Sequence, residues 1–490
     1  MTTVETLRLP KAERQLFLDD VDIAQLENLR RTMHQPNKKG AVIRRNPVTQ
    51  RATGAAYGAV YRPQTRSAPA WDPETNVWKF WTIGDKQHDE AGFSEIHESR
   101  DGVNWSQPHV GQLSLQGSRE NNAVYVSMGE NRTSEIPCVV YDGNDPDPSR
   151  RFKGILFTLL PKHAIAFATS PDGIAWKLLD VPFVESGDEP NFSFDAAHQL
   201  FIATVKVRGP YGRSHALLTS KDFAQWTEPE LVFHADEEDQ QLAREVIINR
   251  LANPALQQPV VNHPEEYGVD VYNFAISRYE SRYIGFASMF HHVGRTWEGR
   301  NHDGFHHVQL ASSRDMRNWD RLGERRPFID SSPLGAGAYD TLQILGPSSP
   351  VIRDDELWFY YTGIKFRWPP ENPDPDCAAI CLATLRRDGF ISLDADEDGG
   401  SVTTEAFHWE GEQLYLNVDA SKGEVFCELI DATGQPVPGF GRGECVPISD
   451  DNVRLAVNWQ GHNGMPSSSG GPIQLRVLLH NAQLYSYWFE

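Results

Sequence analysis

One seven-residue pattern, Ser-x-Asp-x-x-x-Trp, recurs at 99–105, 170–176, 220–226 and 313–319. A degenerate copy without the tryptophan follows at 385–390. Ser and Asp side chains bond nearby backbone N–H groups and so specify a tight turn, and the tryptophan folds back to cover apolar surface. A small-residue strand precedes each copy, at 165–169, 215–219, 308–312 and 380–384 for the later four. Unequally spaced copies of a turn in register predict blades of a propeller that carry loops of different length.

The rest of the chain agrees with an all-β class. Short β-rich runs at 77–83, 124–126, 139–141, 154–160, 200–207, 284–290 and 357–362 are separated by Gly, Pro, Asn and Asp. One stretch, 237–251, has helical spacing, with Leu242, Val246, Ile247 and Leu251 as its apolar positions. Five strand units fit between about residue 50 and residue 395, and Gln15 to Ile23 is expected as a strand that helps close the ring. After the acidic, Gly-rich 394–400 the repeat stops and short strands alternate to the end, as in a β-sandwich. The expected architecture is a five-bladed β-propeller over 1–398 followed by a β-sandwich over 399–490.

Composition narrows the function classes. A net charge of −21 repels phosphate backbones and anionic lipid, so neither a nucleic-acid nor a membrane partner is expected. No run approaches the ~18 apolar residues of a membrane span, and the first twenty residues lack the apolar core of a secretory leader. Cys138, Cys377, Cys381, Cys427 and Cys445 show neither disulfide nor zinc spacing, so a cytoplasmic location is expected.

The repeat, together with Leu16-Phe17-Leu18-Asp19-Asp20, the stretch 145–153 and the stretch 338–351, resembles the five-bladed propeller glycoside hydrolases of families 32, 43, 68 and 117. More closely, the whole chain resembles bacterial proteins described as glycosyl hydrolase family 32 N-terminal domain-like. The family 32 motifs themselves are absent, since Trp71-Asp72-Pro73 lies in a surface-turn register. The resemblance implies a glycosidase with a carbohydrate substrate, no cofactor, and a site in the funnel where inner strands converge.

Glycosidic cleavage needs one carboxylic acid and one carboxylate acting as base or nucleophile. Asp188, Asp270 and Asp340 stand at comparable inner-strand positions of three successive units and are the expected catalytic residues, in the order base or nucleophile, acid, and orienting partner. Glu189 and Glu135 are rivals, and the first unit has no acid at the matching place, 55–60. Arg119, Asn122, Lys206, Arg208, Tyr272, His291, His307, Lys365 and Arg367, with Glu189, are expected to bind sugar hydroxyls or an anionic substituent. The histidines of 291–307 with Asp303 are expected to be polar lining of the funnel or plain loop surface, not a metal site. Trp81, Trp297 and Trp368 are the candidates for stacking on a sugar. Two other functions fit the same residues: a glycan-binding propeller without catalysis, and a glycoside phosphorylase in which the cations hold phosphate.

Overall fold

The computed structural model describes residues 7–45, 63–83, 92–115, 117–129, 132–158, 163–188, 190–296, 301–335, 337–368, 374, 376–462, 464–466 and 471–490. It is almost all β. Glu189, Trp297 and the run 55–60 lie outside the described residues. No helix among the described residues is long and apolar enough to cross a membrane.

Five antiparallel sheets follow in chain order. The first contains Ala70–Asp72, Val77–Ile83, Ser94–Ser99 and Ala123–Val124, and the second Cys138–Tyr141, Phe152–Thr158, Ala164–Ser170 and Lys177–Leu178, with Val184–Glu185. The third is Asn191–Asp195, Leu200–Gly209, Gly212–Ser220 and Glu230–Phe233; the fourth is Gly268–Tyr279, Arg282–Arg295, His302–Ser313 and Asp320–Arg321. In the fifth, Gln343–Leu345 and Val351–Arg353 pair with Glu356–Ile364, then come Ala378–Arg386 and, outermost, Asn37–Arg44.

The repeated turn forms as its chemistry requires. In 170–176, Ser170 Oγ accepts from Gly173 N at 2.9 Å, and Asp172 Oδ1 accepts from Ile174 N and Ala175 N at 2.8 Å. Trp176 Nε1 donates to Gly173 O at 2.9 Å. The fourth position is left-handed in every full copy, with φ 75° at Gly102, 77° at Gly173, 62° at Phe223 and 63° at Met316. Each tryptophan then wedges against the preceding sheet. Trp176 meets Trp81, Trp226 stacks on Phe167 at 4.8 Å, and Trp319 meets Phe233. Trp105 of the first sheet meets Tyr360 of the fifth at 6.0 Å, and Tyr360 OH donates to Gly102 O at 2.7 Å.

The expected closing strand is displaced. Asn37–Arg44 completes the fifth sheet, while Gln15–Leu16, Ile23–Glu27 and Arg30–Met33 pair with Ala482–Phe489, Gly400–Thr404 and Ile391–Ala395. The reason is local. Asn37–Arg44 is an edge strand with only Ala41, Val42 and Ile43 apolar, so it lacks the strong apolar signal of Leu16, Phe17 and Leu18. Those three are buried, Phe17 in the core of the C-terminal sheets and Leu16 and Leu18 in the core between the fourth and fifth.

Two further sheets hold the C-terminal region. One orders Asp451–Ala456, Leu414–Asp419, Ala482–Phe489, Ile391–Ala395 and Arg30–Met33, and the other orders Ile23–Glu27, Gly400–Thr404, Gln474–His480 and Glu424–Ile430. The helix forms over Glu237–Ala252, capped by Asp236, whose side chain accepts from Asp239 N. It buries Ala243, Ile247 and Arg250 and leaves Leu242 partly exposed, a rotation from the expected apolar stripe.

Buried Asp388 joins these parts. Its carboxylate accepts from Arg14 Nη1 at 2.6 Å, Tyr279 OH at 2.5 Å, Ser486 Oγ at 2.6 Å and Asn417 Nδ2 at 3.1 Å. Burial raises its pKa, but Arg14, Ser486 and Tyr279 outweigh burial and hold it below the ordinary value. A carboxyl with a depressed folded pKa stabilises above its unfolded pKa, about 4, and that stability is lost as pH falls through the folded value. Asp388→Asn is therefore expected to lower unfolding free energy by roughly 3–5 kcal/mol, because Arg14 is left buried without its counter-ion. Urea melts of both proteins from pH 7 to pH 3 check this: the gap between them narrows below about pH 4, and a gap independent of pH contradicts it.

Candidate functional site

The site begins with strand parity. Along the hairpin of Leu200–Gly209 and Gly212–Ser220, Thr204 lies opposite Leu217, Lys206 opposite His215, and Arg208 opposite Arg213. Opposed residues and those two apart share a face, so all six project together. Thr204 Oγ1 donates to Phe274 O at 2.5 Å, which turns that face toward the fourth sheet. Gly212 makes the turn with φ 111°, and a Cβ there would approach Asp270 to about 3 Å.

On the fourth sheet Asp270, Phe290 and His306 form one row. The register then shifts between Val271 and Asn273, leaving Tyr272 as an extra residue. Two residues from Asp270, Tyr272 shares its face, edge-on to His306 with ring centroids 4.8 Å apart and to Phe290 at 6.1 Å. His306 stacks on Phe290 at 4.7 Å.

Three cations converge on these rings. Lys206 Nζ is 4.3 Å from the Tyr272 centroid, and Arg213 Cζ is 5.5 Å from both Tyr272 and Phe290. Arg367 Cζ is 5.7 Å from Tyr272 and 4.7 Å from Phe290, while its Nε donates to His302 O at 2.8 Å. Two carboxylates complete the cluster. Lys206 Nζ donates to Asp188 Oδ2 at 3.0 Å, and Arg213 Nη1 donates to Asp270 Oδ2 at 2.8 Å. The other Asp270 oxygen is buried and makes no hydrogen bond with the described residues. Asp188 is the more open of the two acids, with its side chain 41% exposed against 9%.

The histidines here are held neutral. Burial, then Lys206, lowers the pKa of His215 to about 3. Burial, then Arg367, Arg213 and Lys206, takes His306 well below the ordinary range. His306 is fully buried, and neither of its ring nitrogens finds a hydrogen-bond partner among the described residues.

Several expected residues lie elsewhere. His291 and His307 belong to the opposite face of the sheet, one residue out of phase with Phe290 and His306. They contact each other at 3.4 Å, and His291 stacks on Phe305, over which Arg250 of the helix lies. Asp340 packs over Gly363, with Lys38 Nζ at 2.7 Å and Tyr361 OH at 2.9 Å, so its partners come from the fifth sheet and not from the cluster. Asn122 Nδ2 ties Ile96 O within the first sheet, and exposed Arg119 bonds Gly111 O. Lys365 pairs with Asp374 at 2.7 Å. Arg208 does share the cluster's face, exposed at its edge opposite Arg213. Trp81 is fully buried and donates to Gly173 O, so it packs the core and cannot stack on a sugar. Glu135 is buried.

Arg213 and Phe290 were not among the expected site residues, and His306 was expected only within the histidine cluster of 291–307. A hairpin closed by Gly209-Pro210-Tyr211-Gly212 would have placed Arg213 opposite Arg208, so that signal was present. Beside the cluster, His263, Glu265 and Glu266 offer ligand atoms within 4.8 Å of one another, and His302 Nε2 lies 3.6 Å from Glu266 Oε2. These residue types could hold a divalent ion, although Arg295 Nε already sits 3.7 Å from Glu266.

No family model and no curated protein matches the chain. The solved structures similar to it include glycoside hydrolases of several families. Similarity extends to an N-acetylgalactosamine deacetylase from F. plautii in complex with blood group B trisaccharide, at 14% identity over 72% of this chain and 96% of that one, with a TM-score of 0.44. A thermostable family-43 glycoside hydrolase is 11% identical over 69% and 94%, with a TM-score of 0.40. The Bombyx mori GH32 beta-fructofuranosidase is 9% identical over 90% and 94%, with a TM-score of 0.41. Likeness at this level assigns no activity, so function rests on the residues of the site.

The separate placement of Asp340 has a measurable consequence. Asp340→Asn is expected to cost roughly 1–3 kcal/mol of stability by weakening its bonds to Lys38 and Tyr361. Urea unfolding reads this directly, and an unchanged midpoint contradicts the tie.

Proposed function

We propose that the chain is a glycoside hydrolase whose five successive sheets are the blades of a five-bladed β-propeller. The two C-terminal sheets, with the strands of 15–33 added to them, form an accessory β-sandwich. The observation that carries the catalytic reading is the meeting of Asp188 and Asp270 around Tyr272, each through its own cation. Two carboxyl groups flanking an aromatic, partly solvent-facing surface are what acid–base cleavage of a glycosidic bond requires.

Asp270 has one oxygen without a hydrogen bond among the described residues and is the proposed general acid toward the leaving oxygen. Asp188, the more exposed, is the proposed base or nucleophile, positioned by Lys206. Tyr272, half-buried at the rim of the cluster, offers its ring to a sugar, which packs its C–H surface against aromatic rings.

Asp188→Asn and Asp270→Asn should each lower turnover by roughly 10²- to 10⁴-fold while thermal unfolding stays near that of the parent. Asp340→Asn should keep turnover despite its lower stability. The assay is release of reducing sugar across a panel of oligosaccharides and aryl glycosides. Binding without product release, or turnover unchanged in both Asp variants, sinks the reading in favour of a glycan-binding propeller.

A further inference from the structure

We propose that Lys206, Arg213 and Arg367, with His306 beneath them, form a receptor for an oxyanion carried by the sugar, a carboxylate or a sulfate ester. This deepens the glycosidase reading and rests on it for the sugar.

The cations come from separate parts of the chain, Lys206 and Arg213 from the third sheet and Arg367 from beyond the Glu356–Ile364 strand of the fifth. Yet all three lie against the Tyr272 ring, which belongs to the fourth. Asp188 bonds Lys206, Asp270 bonds Arg213, and the Asp303 carboxylate feels the charge of Arg367, so the cations are held in place before any ligand arrives. A neutral sugar needs hydroxyl partners, which single carboxylates and amides provide. Three cations on one aromatic surface match an oxyanion instead, because guanidinium groups bind carboxylate and sulfate through paired N–H donors.

His306 is the independent observation. It is fully buried, and its ring is fixed between Phe290 and Tyr272. Both nitrogens lack hydrogen-bond partners among the described residues, although a buried polar group left unsatisfied is costly. In the neutral ring one nitrogen donates and the other accepts, so it can bond an oxyanion oxygen and a neighbouring hydroxyl. Exposed Arg208, opposite Arg213 on the same face, adds positive potential at the edge to draw an anion in.

The same chemistry could instead serve free inorganic phosphate attacking a glycosidic bond, and the experiment separates the two. Titration calorimetry on the full chain compares a uronate-bearing and a sulfated oligosaccharide with their neutral counterparts. It is run on the parent, on Arg367→Gln and on His306→Phe, which keeps the ring stack should the arginine variant fail to fold. Anionic ligands are expected to bind roughly 10- to 100-fold more tightly than neutral ones in the parent, and each substitution should erase most of that preference. Equal affinity for anionic and neutral ligands in the parent overturns the proposal, as does a preference that survives both substitutions. Turnover that requires inorganic phosphate and yields a sugar phosphate overturns it as well. The two readings fail separately. Asp188- and Asp270-dependent cleavage of neutral sugars without anion preference removes this inference and keeps the glycosidase. Anion-selective binding with turnover indifferent to both acids does the reverse.

Discussion

The buried carboxylate of Asp388 is the contact on which the assembly turns. It lies in the turn after the last long strand of the fifth sheet and gathers Arg14 from the N-terminal segment, Tyr279 from the fourth sheet, and Asn417 and Ser486 from the C-terminal sheets. Four donors around one ion compensate its removal from water, and none of the four segments can shift without leaving a buried charge exposed to an apolar core. Arg14 is itself held against the Trp488 ring at 3.8 Å, which fixes both ends of the ion pair. The strands of 15–33 thus belong with the C-terminal sheets, and the following strand, Asn37–Arg44, is free to complete the fifth.

From that anchoring follows the order of the sheets. Each repeated turn sends its tryptophan against the preceding sheet, and the first sheet's tryptophan reaches the fifth. Packing of this kind makes every sheet dependent on its neighbour and on no distant one. Loops between sheets can then differ in length without disturbing the frame. The third and fourth sheets use that freedom most. The fourth contains strands of 12, 14 and 12 residues, and the third presents a long hairpin toward them. The candidate site lies where those two extensions meet.

Much of this was legible in the chain. The Ser-x-Asp turns, the strand runs, the helix near 237 and the change of pattern near 400 all came from local chemistry that does not depend on distant partners. Lys206, Tyr272, Arg367, Asp188 and Asp270 were identifiable as polar groups at strand ends. His291 and His307 misled because alternation assigns faces only once the register is known, and one residue separates the cluster from the far side. Tyr272 keeps the phase of Asp270, two residues before it, and the bulge shifts only the strand that follows. Asp340 occupied a position comparable to the other acids in sequence, but Lys38, from the strand that completes the sheet, and Tyr361 draw it over Gly363.

The sequence alone therefore determined the all-β class, the repeated turn and the residue types available for chemistry, because hydrogen bonds within seven residues specify a turn wherever it lies. Tertiary structure decided which strand completes the fifth sheet, which acids meet, and which histidines face the cluster. Those choices depend on strand register and on pairings between residues more than two hundred positions apart, such as Arg14 with Asp388, which no local pattern encodes.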